Sequence, residues 1–207
     1  MFRKKGPQFT KDSKFESHPY LSEVVGERAA GVIGALFELI QIAVVSLALV
    51  LLIRTFLVQP FSVKGASMEP NFLDHEYLII DEISYRLRPP ERGEIVVFRY
   101  PRNPQEFFIK RIIGLPGEAL EIRDGSVFVN DVRLKEPYLE GPSAPIHQNQ
   151  RVVLGAEEYF LMGDNRPASL DSRVFGPVHL EYLVGRAWIR GWPLDRVGVV
   201  ESPSYAF

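Results

Sequence analysis

Residues 119–130 read Ala119-Leu120-Glu121-Ile122-Arg123-Asp124-Gly125-Ser126-Val127-Phe128-Val129-Asn130. Apolar residues recur at 120 and 122, then at 127 and 129, on either side of Asp124-Gly125. A period of two is that of a half-buried strand, and Asp-Gly favours a two-residue hairpin turn. The segment predicts two antiparallel strands. Asn130-Asp131 predicts a second tight turn into Val132-Arg133-Leu134.

Runs of the same kind lie on both sides. They are Glu76–Ile80, Gly93–Tyr100 before Pro101, Phe107–Ile113, Glu157–Met162 before Gly163, and Val184–Arg190. Short strands without long helical periods between them predict a mainly β domain, a barrel or sandwich. Sixteen Gly, sixteen Pro and 12% aromatic residues agree with a turn-rich β protein. The polar, Pro- and Gly-bearing stretch 136–150 predicts a loop.

Upstream, Ala29–Ile53 is almost wholly apolar, broken only by Glu38, Gln41 and Ser46. About twenty such residues cross a bilayer as a helix. A cleaved leader needs a shorter apolar core and a small-residue site after it, but Arg54-Thr55-Phe56-Leu57-Val58-Gln59-Pro60 offers no Ala-x-Ala. The run is also long for a buried core helix. We therefore expect a cytoplasmic tail over 1–28, a single transmembrane helix over 29–54, and an extracytoplasmic β-rich domain over 55–207. Arg3, Lys4, Lys5, Lys11, Lys14 and Arg28 precede the span, and positive flanks favour the cytoplasm. Glu38 and Gln41 share a helix face, with Glu38 placed to reach the headgroups.

Composition excludes several functions. A net charge of −2, with basic residues scattered among acids, argues against a nucleic-acid partner. The absence of Cys removes a disulfide framework, a thiolate zinc site and a cysteine nucleophile. Of the four histidines, His18 lies in the predicted tail, His147 in the predicted loop, and His179 after a Gly-Pro turn. His75 sits in Asp74-His75-Glu76, which reads as a polar turn. None stands in the setting of a triad base.

Lysine is the other base for a serine nucleophile, provided burial keeps it neutral. Lys110 lies between Phe107-Phe108-Ile109 and Ile112-Ile113, and a strand points Phe108 and Ile112 to its own side. Two fates are open to it: a dry base, or a strand lysine reaching for solvent. Ser67 in Gly65-Ala66-Ser67-Met68-Glu69-Pro70 is likewise either a nucleophile or part of a turn. Gly163-Asp164-Asn165-Arg166 reads as a turn, and Asp171 and Arg173 can pair across a loop.

Taken together these runs resemble bacterial type I signal peptidase. The resemblance covers the span and nearly all of residues 55–195. It is carried by Gln59 to Pro70, Gly93 to Phe98, Ile109 to Glu118, and Met162 to Arg166 with Ser169-Leu170-Asp171-Ser172-Arg173. The resemblance implies Ser67 as nucleophile and Lys110 as general base, with Ser169 hydrogen-bonding and aiming Lys110. It implies supporting ion pairs Asp171–Arg173 and Arg111–Asp164, and an oxyanion donor in the Ser67 N–H. Better-known Gram-negative members carry a second serine where this chain has Gly65, so the second oxyanion donor is unassigned. Pro167-Ala168 also departs from the usual loop.

The implied activity is removal of signal peptides from exported preproteins after an Ala-x-Ala type site, through an acyl-enzyme, with no metal or cofactor. The implied partners are those signal peptides, the lipid bilayer and the secretion translocon. The implied location is the bacterial cytoplasmic membrane. Substrate is expected to add as a strand against Phe61, Val63, Lys64, Gly65, Phe108 and Ile109. Pockets are expected around Phe61, Val63, Met68, Phe72, Phe98 and Ile109, with Leu161 packed on Lys110. Two other readings fit the same residues: a Ser-Lys self-cleaving regulatory protease, and a membrane-tethered β-barrel binding module.

Overall fold

The structure is a computed structural model that describes residues 20–56, 59–139, 149–203 and 205. The chain divides into two units, residues 1–50 and 51–207.

The first unit is dominated by helix α1, Tyr20–Phe56. Within it Gly34–Leu51 has a mean hydropathy of 2.3, and none of that window is buried. Eighteen residues rise about 27 Å, close to the thickness of a bilayer's hydrocarbon. The helix is long and apolar enough to cross a membrane. It begins at Tyr20, earlier than the apolar run, because the polar turns before Ala29 are also compatible with a helix. Glu38 is exposed on it.

The second unit is built from β1 (Gln59–Ser62), β2 (Tyr77–Asp81), β3 (Ile95–Tyr100), β4 (Asn103–Gly114), β5 (Ala119–Arg123), β6 (Ser126–Val129), β7 (Val132–Arg133), β8 (Gln150–Val153), β9 (Glu158–Met162), β10 (Val178–His179), β11 (Leu183–Trp192) and β12 (Gly198–Val199). Helices α2 (Ser84–Leu87) and α3 (Ser172–Phe175) are single turns. One sheet runs β1-β2-β11-β3-β4-β9-β10, with β12 on β11; the other runs β7-β6-β5-β8. Every pairing is antiparallel. The mainly β architecture follows the alternation read from the sequence.

Both predicted tight turns form. Asp124-Gly125 and Asn130-Asp131 all have positive φ, between 48° and 75°, as a two-residue turn between twisted strands requires. Four strands were not foreseen: β1, β8 and the two-residue β10 and β12. Gln59–Ser62 contains Pro60, but β1 lies at the edge of its sheet, where a missing N–H costs no ladder bond. Strand β8 starts at Gln150, the last residue of the predicted loop; residues 140–148 of that loop lie outside the described residues.

Strand β3 shows how the main sheet is held. Ile95 and Val97 enter one apolar cluster with Val63, Met68, Phe72, Leu78, Ile80, Ile109 and Ala187. Val96 and Phe98 enter another, with Ile112, Tyr159, Leu161 and Val178. Both faces of β3 are therefore buried, and the strand reads as a continuous apolar run. A third cluster joins the small sheet to the end of β4 through Ile113, Leu120, Ile122, Val127 and Phe160.

Candidate active site

Strand β4 sets one wall of the site. It pairs with β3 along most of its length, placing Val96 opposite Lys110. Its other edge meets β9 only from Arg111 onward, so the backbone before Lys110 is not covered by β9. The loop between β1 and β2 sets the other wall. Its Val63, Met68 and Phe72 are buried, which pins the loop and leaves Ser67 at its turn.

Lys110 Nζ donates to Ser67 Oγ at 2.8 Å and to the Ile109 carbonyl at 2.9 Å. Its amine also lies 5.4 Å from the Phe108 ring centre. The residue is only 4% exposed. Burial lowers the amine from its ordinary value of 10.5 to about 8; Asp171 and Asp164 pull upward against it, and Arg173 adds to the lowering. A hydroxyl hydrogen-bonded to an amine that is partly neutral near pH 8 can give up its proton and attack a carbonyl.

The segment after β9 closes around this pair. The Asn165 N–H donates to the Ser67 carbonyl at 3.0 Å, and its side-chain amide donates to the Ala66 carbonyl at 3.0 Å. Gly163 fits where nothing larger can: a Cβ there would lie 2.2 Å from Ser169 Oγ and 2.5 Å from the Ser67 carbonyl oxygen. The Gly163 N–H donates to Asp171 Oδ2 at 3.0 Å. Asp171 is fully buried and accepts from Arg173 Nε and Nη2, both at 2.7 Å. Arg111 grips Asp164 through Nε at 2.8 Å and Nη2 at 2.6 Å. Both carboxylate–guanidinium forks are thus present, each inside the protein.

Asn165 was legible only as a turn residue. Arg166 was likewise read only as part of that turn, and Asn71 and Tyr138 were not singled out. Asn71 donates to Asp164 Oδ2 at 2.9 Å. Tyr138 stacks on the Arg111 guanidinium at 3.8 Å. Buried Arg166 pairs with Glu136 and donates to the Gly163 carbonyl at 3.0 Å. The charged residues of Gly163-Asp164-Asn165-Arg166 were the one available signal.

Ser169 does not hydrogen-bond Lys110. Its hydroxyl is buried and, among the described residues, has no hydrogen-bond partner, because the Lys110 amine is directed at Ser67 and Ile109. Gly65 has φ +82° and open space in front of it, and its N–H donates to Asp74 Oδ1 at 2.8 Å. That amide is therefore occupied.

A cleft of about 650 Å³ opens beside the pair. Phe61, Lys64, Gly65, Phe108 and Ile109 line it together with Ser67 and Lys110. Gln105, Glu106, Phe107, Ala168 and Leu170, not foreseen, also line it. Phe61 and Phe107 meet edge to face across it at 6.1 Å. Val63, Met68, Phe72, Phe98 and Leu161 do not line the cleft. They are core residues, each at most 3% exposed, and Leu161 faces Ile112 across the β4–β9 ladder. Their apolar side chains are spent on holding the walls.

A hydroxyl hydrogen-bonded to a buried amine thus stands beside an open cleft. Comparison with known proteins gives the family. The model for signal peptidase, peptidase S26, matches residues 36–192. A probable signal peptidase I-2 of Synechocystis sp. is 43% identical over 168 residues, covering 79% of this chain and 76% of its own. Signal peptidase I of Leptolyngbya laminosa is 38% identical, covering 81% and 85%. Signal peptidase I P of Bacillus subtilis subsp. natto is 33% identical, covering 78% and 92%. A solved signal peptidase I from Enterococcus faecalis is 35% identical over 48% of this chain and 97% of its own, with a TM-score of 0.44. The chain belongs to the signal peptidase family, peptidase S26, and is a hydrolase of that family.

Proposed function

We propose that this protein is a membrane-bound serine endopeptidase that removes N-terminal signal peptides from exported preproteins, cutting after a small residue. The observation that carries the mechanism is the 2.8 Å hydrogen bond from the Lys110 amine to Ser67 Oγ, within a wall that keeps the amine dry. Neutral Lys110 takes the Ser67 proton as Oγ bonds to the scissile carbonyl carbon. The C–N bond then breaks, Lys110 returns the proton to the departing amine, and the acyl chain stays on Ser67. Water then bonds to the acyl carbon as Lys110 takes its proton, the bond to Ser67 Oγ breaks, and Lys110 returns that proton to Oγ. Among the described residues the Ser67 N–H has no acceptor, and we assign it to the developing oxyanion. Protonated Lys110 has a third N–H, which we assign to the unpartnered Ser169 hydroxyl.

Substrate enters as an added strand between β1 and β4, where main-chain groups give affinity and alternate side chains meet the cleft. The small-residue rule is supported by the crowding of Phe61, Phe108 and Ile109 about it. The apolar helix is read as the anchor, with the domain outside the cytoplasm. The bilayer and the secretion translocon are then its neighbours.

The test is cleavage of a secretory precursor carrying an Ala-x-Ala site. The wild type cuts it; Ser67→Ala and Lys110→Ala do not. Cleavage by Lys110→Ala at an undiminished rate refutes the base. Protease added outside intact cells digests the β domain if the orientation is right, and spares it if it is reversed.

A further inference from the structure

The cleft holds two charged side chains that the acyl chemistry does not use. Lys64 stands on the Ser67 wall and Glu106 on the β4 wall, both exposed and both lining the cleft. Among the described residues Lys64 has no hydrogen bond or ion pair. Asp74 is engaged elsewhere, accepting from the Gly65 and His75 amides and pairing with the His75 ring. Glu106 accepts from Asn103 at 2.8 Å and, among the described residues, is paired with no cation. Neither charge supports the fold.

Both line the cleft that an extended peptide would occupy. Successive side chains of a strand point to opposite sides, with a rise of about 3.3 Å per residue. When the first and third residues before the cut face the cleft floor, the second and fourth face its rim. Lys64 precedes Ser67 on the same loop and lines the same cleft. Glu106 lies four strand residues from Lys110, about 13 Å along β4. The fourth residue lies about 10 Å beyond the first, within reach of the Glu106 side chain.

We propose that Lys64 and Glu106 read charge on the substrate: Lys64 favours an acidic side chain at the second residue before the cut, and Glu106 a basic one at the fourth. This rests on the reading of the cleft as the peptide site. It gives the enzyme a charge preference at positions whose side chains enter no pocket.

The experiment uses the purified full chain in detergent and precursors bearing Asp, Gln or Lys at either position. The wild type cuts Asp about twofold to fivefold faster than Lys at the second position, and shows the opposite order at the fourth. Lys64→Glu reverses the first order and Lys64→Gln flattens it. Glu106→Lys reverses the second. About 1 M salt shrinks every difference, since it screens exposed charges within a few ångströms. Unchanged orders in Lys64→Glu and Glu106→Lys overturn the proposal, while loss of all cleavage in Ser67→Ala leaves the Ser-Lys reading standing. Persistent cleavage in Ser67→Ala overturns that reading instead.

Discussion

Asn165 holds Ser67 from behind: its N–H donates to the Ser67 carbonyl at 3.0 Å, and its side chain donates to the neighbouring Ala66 carbonyl at 3.0 Å. Ser67 is half-buried at a turn whose Gly65 and Ala66 are exposed, so this clamp helps fix the direction of Oγ. Replacing Asn165 with Ala keeps the backbone bond and removes the side-chain one. We expect a fall of about tenfold in kcat with KM little changed, since small misplacements of a reacting group are costly. Steady-state kinetics on a precursor peptide separate the two. A rise in KM alone would show that Asn165 acts on substrate instead.

On the proposed mechanism Lys110 sets the pH dependence. Its amine is lowered to about 8 by burial, so kcat/KM rises with pH through that value and drops about tenfold per pH unit well below it. A profile that stays flat down to pH 6 contradicts a lysine base.

The same burial costs stability. The unfolded chain, whose lysine titrates near 10.5, binds more protons than the folded one between about pH 8 and 10.5. Stability attributable to Lys110 therefore rises with pH across that window, and the penalty is complete below it. Lys110→Met, of similar shape and uncharged, is expected to abolish cleavage yet raise stability by ~1–3 kcal/mol at pH 7, with the gain vanishing above pH 10.5. Thermal melts of both proteins at pH 7 and at pH 10.5 or above measure the difference.

Much of the fold was legible because its signals are local. Asp124-Gly125 and Asn130-Asp131 announce their turns, and the apolar runs of β3 and β9 announce buried strands. Strand β1 was hidden by Pro60, whose edge position is a property of the whole sheet. Ser67 and Lys110 stood out through their neighbours and the family resemblance. The cleft did not. Val63, Met68 and Phe72 look like Phe61 and Ile109 on the page, and only distant packing decides which apolar residue faces inward. Asn165 meets Ala66 from 99 residues away, a distance that no local pattern encodes.

Gly163→Ala tests the tightest contact. The added methyl would meet Ser169 Oγ and Cβ and the Ser67 carbonyl oxygen at 2.5 Å or less, so the loop or Ser67 must shift. We expect activity to fall at least about a hundredfold and stability to drop by about 1–3 kcal/mol. Cleavage assays and urea unfolding follow the two effects separately.

Asp171 and Arg173 couple strongly. Asp171→Ala strips the Arg173 guanidinium of its buried partner and the Gly163 N–H of its acceptor. The loss should be about 3–5 kcal/mol, and the Asp171→Ala/Arg173→Ala double variant should lose less than the sum of the singles. Additive losses in a double-mutant cycle would remove the pair from the account.

Gly65 gives the site a gap that an inhibitor can use. Its φ of +82° disfavours any side chain, nothing stands within 4 Å of where a Cβ would be, and Asp74 already occupies its amide. A covalent ligand bound to Ser67 can carry extra bulk toward residue 65 without a steric penalty and gains no hydrogen bond from that amide. A serine at this position would bring a hydroxyl and a different backbone preference to that space. Compounds grown in that direction should therefore separate glycine-type enzymes from serine-type ones.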